Sequence, residues 1–332
     1  MNTSTAARQL MGAYPIDKGF CFRTWAPNAK SVHVMGNFND WSEAQHAMER
    51  EESGHWSIEI EDASDGDGYQ FVIETANGDT LKKSDPYARR MENSIGHSII
   101  YQDDFDWEAD NFEIADWNQL VIYELHIGTF NRKKDQEVGT FQSAIEKLPH
   151  LKELGVNAIE ILPLNEFAGD HSWGYNPAHP FAIEEAYGHP DDFKQLVKAA
   201  HEAGIAVILD VVYNHFGPSD LAMWQYDGWS ENDGGGIYFY NDWRANTPWG
   251  DTRPDYGREE VRNYIFDNAL MWLNEYRCDG LRFDAVSHIR NVKGTENEGD
   301  NIREGYELLQ RINEAANNQF PKKIMVAEDT HG

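Results

Sequence analysis

The stretch "CDGLRFDA", residues 278 to 285, has the composition of a buried strand that ends in charged side chains. It contains Asp279, Arg282 and Asp284. Side chains two positions apart on a strand point to the same side, so Arg282 and Asp284 are predicted to share a face. A strand that changes from apolar to ionisable at its C-terminal end is typical of barrel enzymes, which keep their chemistry at that edge of the sheet.

Other segments after residue 112 share this strand character, and helical patterns lie between them. One of these helices is expected to kink or split at Pro149. Alternating strands and helices predict a parallel sheet covered by helices, either a closed (β/α)₈ barrel or an open doubly wound sheet. The further predicted strands are "LVIYELHI" (120–127), "NAIEILPL" (157–164), "AVILDVV" (206–212) and "KIMVAED" (323–329).

The ends of these strands favour the barrel. Asp210 and His215 lie at the end of the third predicted strand, and Glu328 lies at the end of the fifth. No GxGxxG or GxxxxGK[ST] motif follows a strand, which argues against a nucleotide-binding fold. We therefore predict that residues 113–332 form an α/β TIM-type (β/α)₈ barrel of which about five strand–helix units are present.

Residues 1–112 show a different pattern, in which short strands alternate with turn signals. Segments such as "SVHVMGNF" (31–38) and "YQFVIET" (69–75) place apolar side chains at every second position. Several short strands of this kind predict an all-β immunoglobulin-like sandwich as a separate N-terminal domain.

Composition narrows the choice of partners. The chain has 28 Lys and Arg against 57 Asp and Glu, a formal charge of -29, which argues against nucleic acid and anionic membrane surfaces and favours a neutral ligand. No signal-peptide pattern and no membrane-length apolar run is present, so we expect a cytoplasmic protein. Cys21 and Cys278 are the only cysteines, which excludes a disulfide framework and a CxxC metal motif. We expect no cofactor.

Asp284 and Glu328 are predicted to lie close together because their strands are neighbours in a parallel sheet. Such a carboxyl pair can divide into a nucleophile and a proton donor, as glycosidic bond cleavage requires. Arg282 should keep Asp284 ionised, and the negative charge of Asp284 should favour the protonated form of Glu328. A retaining mechanism requires a separation of about 5 to 5.5 Å between the two carboxyls. A structural ion pair between Arg282 and Asp284 is the alternative.

Three segments in order resemble the signature regions of the α-amylase superfamily: "DVVYNH" (210–215), "GLRFDAVSH" (280–288) and "AED" (327–329). The resemblance implies that Asp284 is the catalytic nucleophile, Arg282 the residue that orients it, and Glu328 the general acid/base. It also implies that His215 contacts the sugar before the cleaved bond and that Asp210 supports the arginine.

The same resemblance implies roles for further residues. Tyr175 in "WGYNP" (173–177) resembles the tyrosine that stacks on that sugar, and His288 corresponds to a position that lines the acceptor side. Ser287 stands where many amylases carry a lysine. Asn214 lies where some amylases bind calcium, but a lone asparagine is weak evidence and we predict no metal.

The N-terminal part carries a resemblance of its own. "FRTWAPNAKSVHVMGNFNDW" (22–41) is similar to the carbohydrate-binding module of glycogen branching enzymes and isoamylases. Trp25 is expected in the core, whereas Trp41 could stack on a glycan. Together with the barrel, this module narrows the resemblance to branching enzymes, isoamylases and maltooligosyl trehalose trehalohydrolases. The runs "GNFNDW" (36–41) and "SWGYNP" (172–177) resemble branching enzymes most, so we expect a 1,4-α-glucan branching enzyme acting on glycogen, amylose or maltooligosaccharides. A maltooligosyl trehalose trehalohydrolase or an isoamylase-type hydrolase is the alternative.

A long segment, residues 213–258, is rich in aromatic side chains and is called the aromatic loop below. Loops of this length without secondary structure are uncommon unless they have a function. We expect about half of its rings to pack the loop onto the barrel and the others, with Trp229 and Trp243 as candidates, to contact an α-glucan chain.

The chain ends soon after the fifth predicted strand. The superfamily resemblance implies three further strands and a third catalytic carboxylate, so we expect a fragment of a longer enzyme that is not competent alone. The alternative outside enzymes is a glycan-binding remnant that keeps the sandwich and the aromatic loop without chemistry.

Overall fold

The computed structural model describes residues 10–134, 136–169 and 171–329. Its first part consists of two antiparallel sheets, one in the order β1-β2-β5-β4 and the other in the order β3-β6-β9-β8 with β7 also paired to β6. The strands are β1 (Gly12–Pro15), β2 (Phe20–Trp25), β3 (Ser31–Gly36), β4 (Glu49–Arg50), β5 (His55–Ile60), β6 (Gly68–Glu74), β7 (Thr80–Lys83), β8 (Arg90–Met91) and β9 (Ser98–Ile99).

Alternating apolar residues build the core of this sandwich. On β3, Val32 and Val34 are fully buried, and they pair in register with Ile73 and Phe71 of β6. Burying each such side chain contributes about 1.5–3 kcal/mol, which is why the period of two fixes the register. The predicted sandwich is therefore confirmed, and Trp25 lies in its core as expected.

The second part contains a five-stranded parallel sheet in the order β10-β11-β14-β15-β16 and a separate antiparallel hairpin, β12-β13. The strands are β10 (Ile122–Leu125), β11 (Ala158–Ile161), β12 (Asn165–Phe167), β13 (Pro177–Ile183), β14 (Ala206–Val211), β15 (Gly280–Phe283) and β16 (Ile324–Ala327). The helices are α1 (Ile127–Phe130), α2 (Phe141–Ile145), α3 (Leu148–Glu153), α4 (Pro190–Ala203), α5 (Glu259–Asn274), α6 (Val286–Arg290) and α7 (Arg303–Gln319).

Helix α4 shows why the helices pack on this sheet. Its residues Phe193, Leu196, Val197 and Ala200 recur at helical spacing and are all buried. The helix begins with a proline and ends at Gly204, whose φ of 78° is a left-handed conformation that glycine adopts at little cost. Strand β14, which follows, is buried along its whole length. This order of parallel strands and helices fits part of a (β/α) barrel, as predicted.

Two local features refine the sequence-based expectations. The helix near Pro149 is split, because α2 ends at Ile145 and α3 carries the proline in its first turn. The side chain of Asp279 lies at the N-terminal end of β15, where it accepts hydrogen bonds from the Val207 amide and from His201 Nε2. Asp279 is therefore a structural residue, on the opposite edge of the sheet from Asp284.

The sandwich and the barrel segment share one continuous hydrophobic core. Much of the contact involves the aromatic loop: the ring of Trp25 meets the ring of Tyr238 edge to face at 5.6 Å, and the hydroxyls of Thr24 and Tyr226 lie 2.8 Å apart. Within the described residues, no helix has the length and apolar character needed to cross a membrane. The predicted boundary at residue 112 and the cytoplasmic location stay predictions.

Candidate active site

The C-terminal ends of β14, β15 and β16 bring the predicted site residues to one edge of the sheet. Asp210 pairs in register with Arg282, and Phe283 pairs with Ala327. Asp284 and Glu328 therefore each follow directly after the last residue of neighbouring strands. In (β/α) barrels, the side chains that take part in a reaction lie at this C-terminal edge of the parallel sheet.

Arg282 lies at the centre of the group and contacts three carboxylates. Its Nη1 is 2.7 Å from Asp210 Oδ2 and 3.2 Å from Asp284 Oδ1, and its Nη2 is 3.2 Å from Glu328 Oε1. Burial alone would lower the pKa of Arg282, but the negative charges, that of Asp210 above all, raise it above its ordinary value. The guanidinium thus stays charged and holds Asp284 and Glu328 on either side of it.

Asp284 is largely buried, and its environment is more mixed than the sequence suggests. Burial raises the pKa of Asp284, whereas a hydrogen bond from Asn214 and the charge of Arg282 lower it; the net direction is upward. From the sequence, the charge of Arg282 was expected to keep Asp284 ionised. That expectation did not include the free-energy cost of removing a carboxylate from water, which raises its pKa. Asn214, considered from the sequence only as a calcium ligand, is the largest of the effects that partly offset that cost.

Asp210 is nearly inaccessible and accepts two hydrogen bonds at Oδ2, from Arg282 and from the Tyr175 hydroxyl, each at 2.7 Å. Burial raises the pKa of Asp210 to about 7, against the lowering effects of these two donors. Tyr175 is thus attached to the same network as the arginine. Asp210 is thus placed against Arg282, and its role in supporting the arginine stays a prediction.

Glu328 is held by the backbone that follows Asp284. The Ala285 amide donates to Glu328 Oε2 at 2.8 Å, and the Val286 amide donates to the main-chain oxygen of Glu328. Ala285 has a φ of 43°, a left-handed conformation that is uncommon for a residue with a side chain. Backbone strain of this kind is found at functional sites, where the surrounding structure imposes it.

His215 and His288 both contact one ring of the aromatic loop. The ring of Trp249, in the aromatic loop, stacks on His215 at 4.9 Å and meets His288 edge to face at 5.1 Å. Burial, aided by the nearby Arg253 and His288, lowers the pKa of His215 to about 4, so its imidazole is neutral at pH 7. With 43% of its surface exposed, Trp249 is an accessible ring beside both histidines.

The two tryptophans that the sequence suggested as glucan contacts, Trp229 and Trp243, differ in exposure. Trp229 packs against the core with the Arg258 guanidinium 4.9 Å from its ring centroid, which leaves one face covered. Trp243 is 60% exposed. Seven aromatic residues of the loop are buried, more than the half expected to pack it onto the barrel: Tyr213, Phe216, Tyr226, Tyr238, Phe239, Tyr240 and Tyr256. Nothing in the spacing of the loop distinguishes Trp249 from its other rings, so only the fold reveals its place.

Among the described residues, no group of three or more His, Cys, Asp or Glu side chains is arranged to hold a metal ion. The amide of Asn214 is committed to Asp284, with Nδ2 2.7 Å from Asp284 Oδ2.

Comparison with known proteins adds independent evidence. Residues 124–246 match the family model for the alpha amylase catalytic domain, and residues 10–88 match that for carbohydrate-binding module 48, the isoamylase N-terminal domain. A 1,4-alpha-glucan branching enzyme of Picrophilus torridus is 38% identical over 329 residues, covering 94% of this chain and 45% of the relative. A malto-oligosyltrehalose trehalohydrolase of Saccharolobus solfataricus is 39% identical over 280 residues, covering 83% of this chain and 46% of the relative.

A solved structure supports the same assignment. A protein from Salmonella typhimurium described as a candidate alpha amylase superposes with a TM-score of 0.77 at 30% identity, covering 96% of this chain and 49% of that chain. The chain thus spans about half the length of the relatives it matches. The matched models, the parallel sheet and the carboxylates at its C-terminal edge agree: the chain belongs to the α-amylase superfamily and joins a carbohydrate-binding module 48 to an α-amylase catalytic domain.

Proposed function

We propose that this protein acts on α-1,4-glucans by a retaining mechanism in which Asp284 is the nucleophile and Glu328 the general acid/base. The observation that carries the proposal is the shared guanidinium of Arg282, which contacts both carboxylates at 3.2 Å. Two carboxyls held together in this way suit the double displacement of retaining glycosidases.

The chemistry follows from these positions. The Asp284 carboxylate attacks the anomeric carbon while protonated Glu328 gives its proton to the departing glycosidic oxygen, leaving a glycosyl ester on Asp284 and a carboxylate on Glu328. An acceptor hydroxyl then attacks the same carbon, Glu328 takes its proton, and the bond to Asp284 breaks. Arg282 balances negative charge throughout, a type of stabilisation that often supplies the largest share of the rate gain.

The molecule that accepts the glycosyl group from Asp284 decides which reaction is catalysed. We favour branching, in which the acceptor is the 6-hydroxyl of a second glucan chain. The similarity to the Picrophilus branching enzyme covers more of this chain than that to the trehalohydrolase, 94% against 83%. Trehalohydrolase or isoamylase-type activity, in which water is the acceptor, is the second candidate. We propose that residues 10–88 bind the same glucans.

The test uses the protein at its full encoded length. With amylose, branching lowers iodine colour without new reducing ends, whereas hydrolysis releases reducing ends, and trehalohydrolase activity frees trehalose from maltooligosyl trehalose. Asp284→Asn should abolish turnover in each assay, with Asp62→Asn, an exposed carboxylate of the sandwich, as the charge-matched control. Full turnover in Asp284→Asn would reject the mechanism. Glycogen retention in an affinity gel without any reaction would instead favour a binding protein.

A further inference from the structure

Asp284 has a second hydrogen-bond donor besides Arg282. Asn214, which is fully buried in the turn after β14, donates from Nδ2 to Asp284 Oδ2 at 2.7 Å and to the Asp284 main-chain oxygen at 2.9 Å. Arg282 contacts the other carboxylate oxygen, Oδ1, at 3.2 Å. Each oxygen of the proposed nucleophile therefore has its own donor, and the shorter contact is the one to the neutral amide.

The orientation of this amide is fixed by its surroundings. Both partners of Nδ2 are acceptors, so Oδ1 of Asn214 must be the atom that faces His215 Nδ1, at 2.6 Å. An amide oxygen can only accept, so Nδ1 of His215 carries a proton and donates it. Burial lowers the pKa of His215 to about 4, against the raising effect of a hydrogen bond to the main chain of Tyr175, so the imidazole is neutral at pH 7. A chain of two hydrogen bonds thus runs from His215 through Asn214 to Asp284.

We propose that Asn214 is a further catalytic residue, whose side-chain N–H stabilises Asp284 as a free carboxylate and so assists its departure from the glycosyl intermediate, with His215 locking the amide in the donating orientation. This inference rests on the proposed function of Asp284. A donor to the free carboxylate stabilises it before attack and after release, whereas the ester formed in between is a weaker acceptor. The bond therefore favours the second half of the reaction over the first.

Several charged or titratable groups share this environment. They are Asp210 on β14, Arg282 on β15, Glu328 after β16 and Tyr175 in the turn that precedes β13. Burial, the largest influence on the pKa of Asp284, raises it, and the hydrogen bond from Asn214 is the first of the opposing effects. Removing the amide donor should therefore raise that pKa further and move the acid limb of the rate profile to higher pH.

The experiment compares Asn214→Ala and Asn214→Asp in the protein at its full encoded length, with an α-maltosyl fluoride as the donor. We expect kcat to fall by roughly 10²-fold, the usual effect of losing one positioned donor. We also expect the acid limb of kcat/KM to move upward and a covalent glycosyl-enzyme to accumulate in the mass spectrum of the quenched protein. Asn214→Asp keeps the shape but replaces the donor with a carboxylate, so its effects should be larger.

Asn268 supplies the matched control. It is equally buried and donates to the Pro180 carbonyl at 2.8 Å, but it belongs to α5 and makes no contact with Asp284. Asn268→Ala should lower stability and leave the acid limb where it is. If both Asn214 variants keep the wild-type limb and accumulate no intermediate, Asn214 is merely structural and the inference is wrong. Turnover by Asp284→Asn would instead reject the proposed function itself, so the two failures are distinguishable.

Discussion

At the scale of single residues, Arg282 is the group on which the proposed chemistry depends most. It uses two nitrogens to contact Asp210, Asp284 and Glu328 at once. A lysine at this position keeps the charge but offers one compact ammonium in place of a planar fork, so it cannot reach carboxylates on both sides. We predict that Arg282→Lys lowers kcat/KM for amylose by about 10²-fold or more.

Steady-state kinetics with amylose would check this prediction, and Arg311→Lys on α7 is the control. Arg311 donates to Asn263 at 3.0 Å and packs over Phe266, away from the strand ends. Its substitution should leave kcat/KM unchanged. Arg282→Lys activity within a factor of two of the wild type would show that charge alone, and not the shared fork, matters.

The strand-end residues could be predicted from sequence because strand order alone brings them together. Asp210, Arg282 and Glu328 each end an apolar segment, and adjacent parallel strands end side by side. Trp249 could not be predicted, because its place depends on how a long loop folds back over His215. The role of Asn214 was missed for a different reason: its partner is an oxygen of Asp284, 70 positions away, and no local pattern signals that contact.

At the scale of elements, the aromatic loop is attached on two sides. Toward the sandwich, the buried Asp227 accepts from the amide and the side chain of Asn28, both at 2.9 Å at Oδ2. Toward the barrel, the buried Arg253 guanidinium donates to main-chain carbonyls of His288 and Val292. The loop that carries Trp249 is therefore positioned by both domains, and the sandwich contributes to the shape of the site.

Asp227→Asn should weaken the attachment to the sandwich. In the asparagine variant, an NH₂ group replaces one carboxylate oxygen and faces hydrogen-bond donors, so a buried polar group has no acceptor. This loss costs about 1–3 kcal/mol of the free energy of unfolding. Urea unfolding of the two proteins would measure this loss, with Asp233→Asn, an exposed residue of the same loop, as the control. A double-mutant cycle with Asn28→Ala should give a non-zero coupling energy; simple additivity would contradict the contact.

The elements that the sequence could not predict are those in which apolar residues do not recur at a regular spacing. The hairpin β12-β13 has an irregular register and includes Pro177 and Pro180, so its pattern does not resemble an ordinary strand pair. By contrast, the parallel strands are clear apolar segments, and the structure has them where the sequence placed them, to within a few residues.

At the scale of the whole molecule, the connector between the domains, residues 101–112, runs along α4 and is fixed by a series of charged contacts. Lys194 Nζ lies 2.5 Å from Asp103 Oδ1, and Lys198 Nζ lies 3.2 Å from Glu108 Oε1. The last contact is His201, whose Nδ1 faces Asp110 Oδ2 at 2.9 Å and whose Nε2 faces Asp279 Oδ2 at 3.0 Å. One imidazole thus joins the connector to the N-terminal edge of the sheet.

This imidazole should make stability depend on pH. Burial lowers the pKa of His201, but hydrogen bonds and charges of Asp279 and Asp110 outweigh it and raise the pKa above its ordinary value. Its contribution is therefore complete below the unfolded pKa of about 6.5 and is lost as pH rises through the folded pKa. Burial raises the pKa of Asp110, but hydrogen bonds from His201, the Phe112 amide and Arg277 outweigh it and lower the pKa. The contribution of Asp110 is therefore lost as pH falls from about 3.9 through the folded pKa.

We predict that His201→Gln lowers the free energy of unfolding by about 3 kcal/mol at pH 6, because Asp279 and Asp110 lose a shared cation in a buried site and Asp110 keeps the longer contact to Arg277 at 3.4 Å. The difference from the wild type should shrink as pH rises through the folded pKa of His201, where the wild-type imidazole loses its proton. Urea unfolding at several pH values measures this, and His150→Gln, an exposed residue of α3, is the control. A constant difference from pH 6 to pH 9 would mean that His201 stabilises the connector by packing on Phe112, whose ring it stacks against at 4.5 Å, and not by charge.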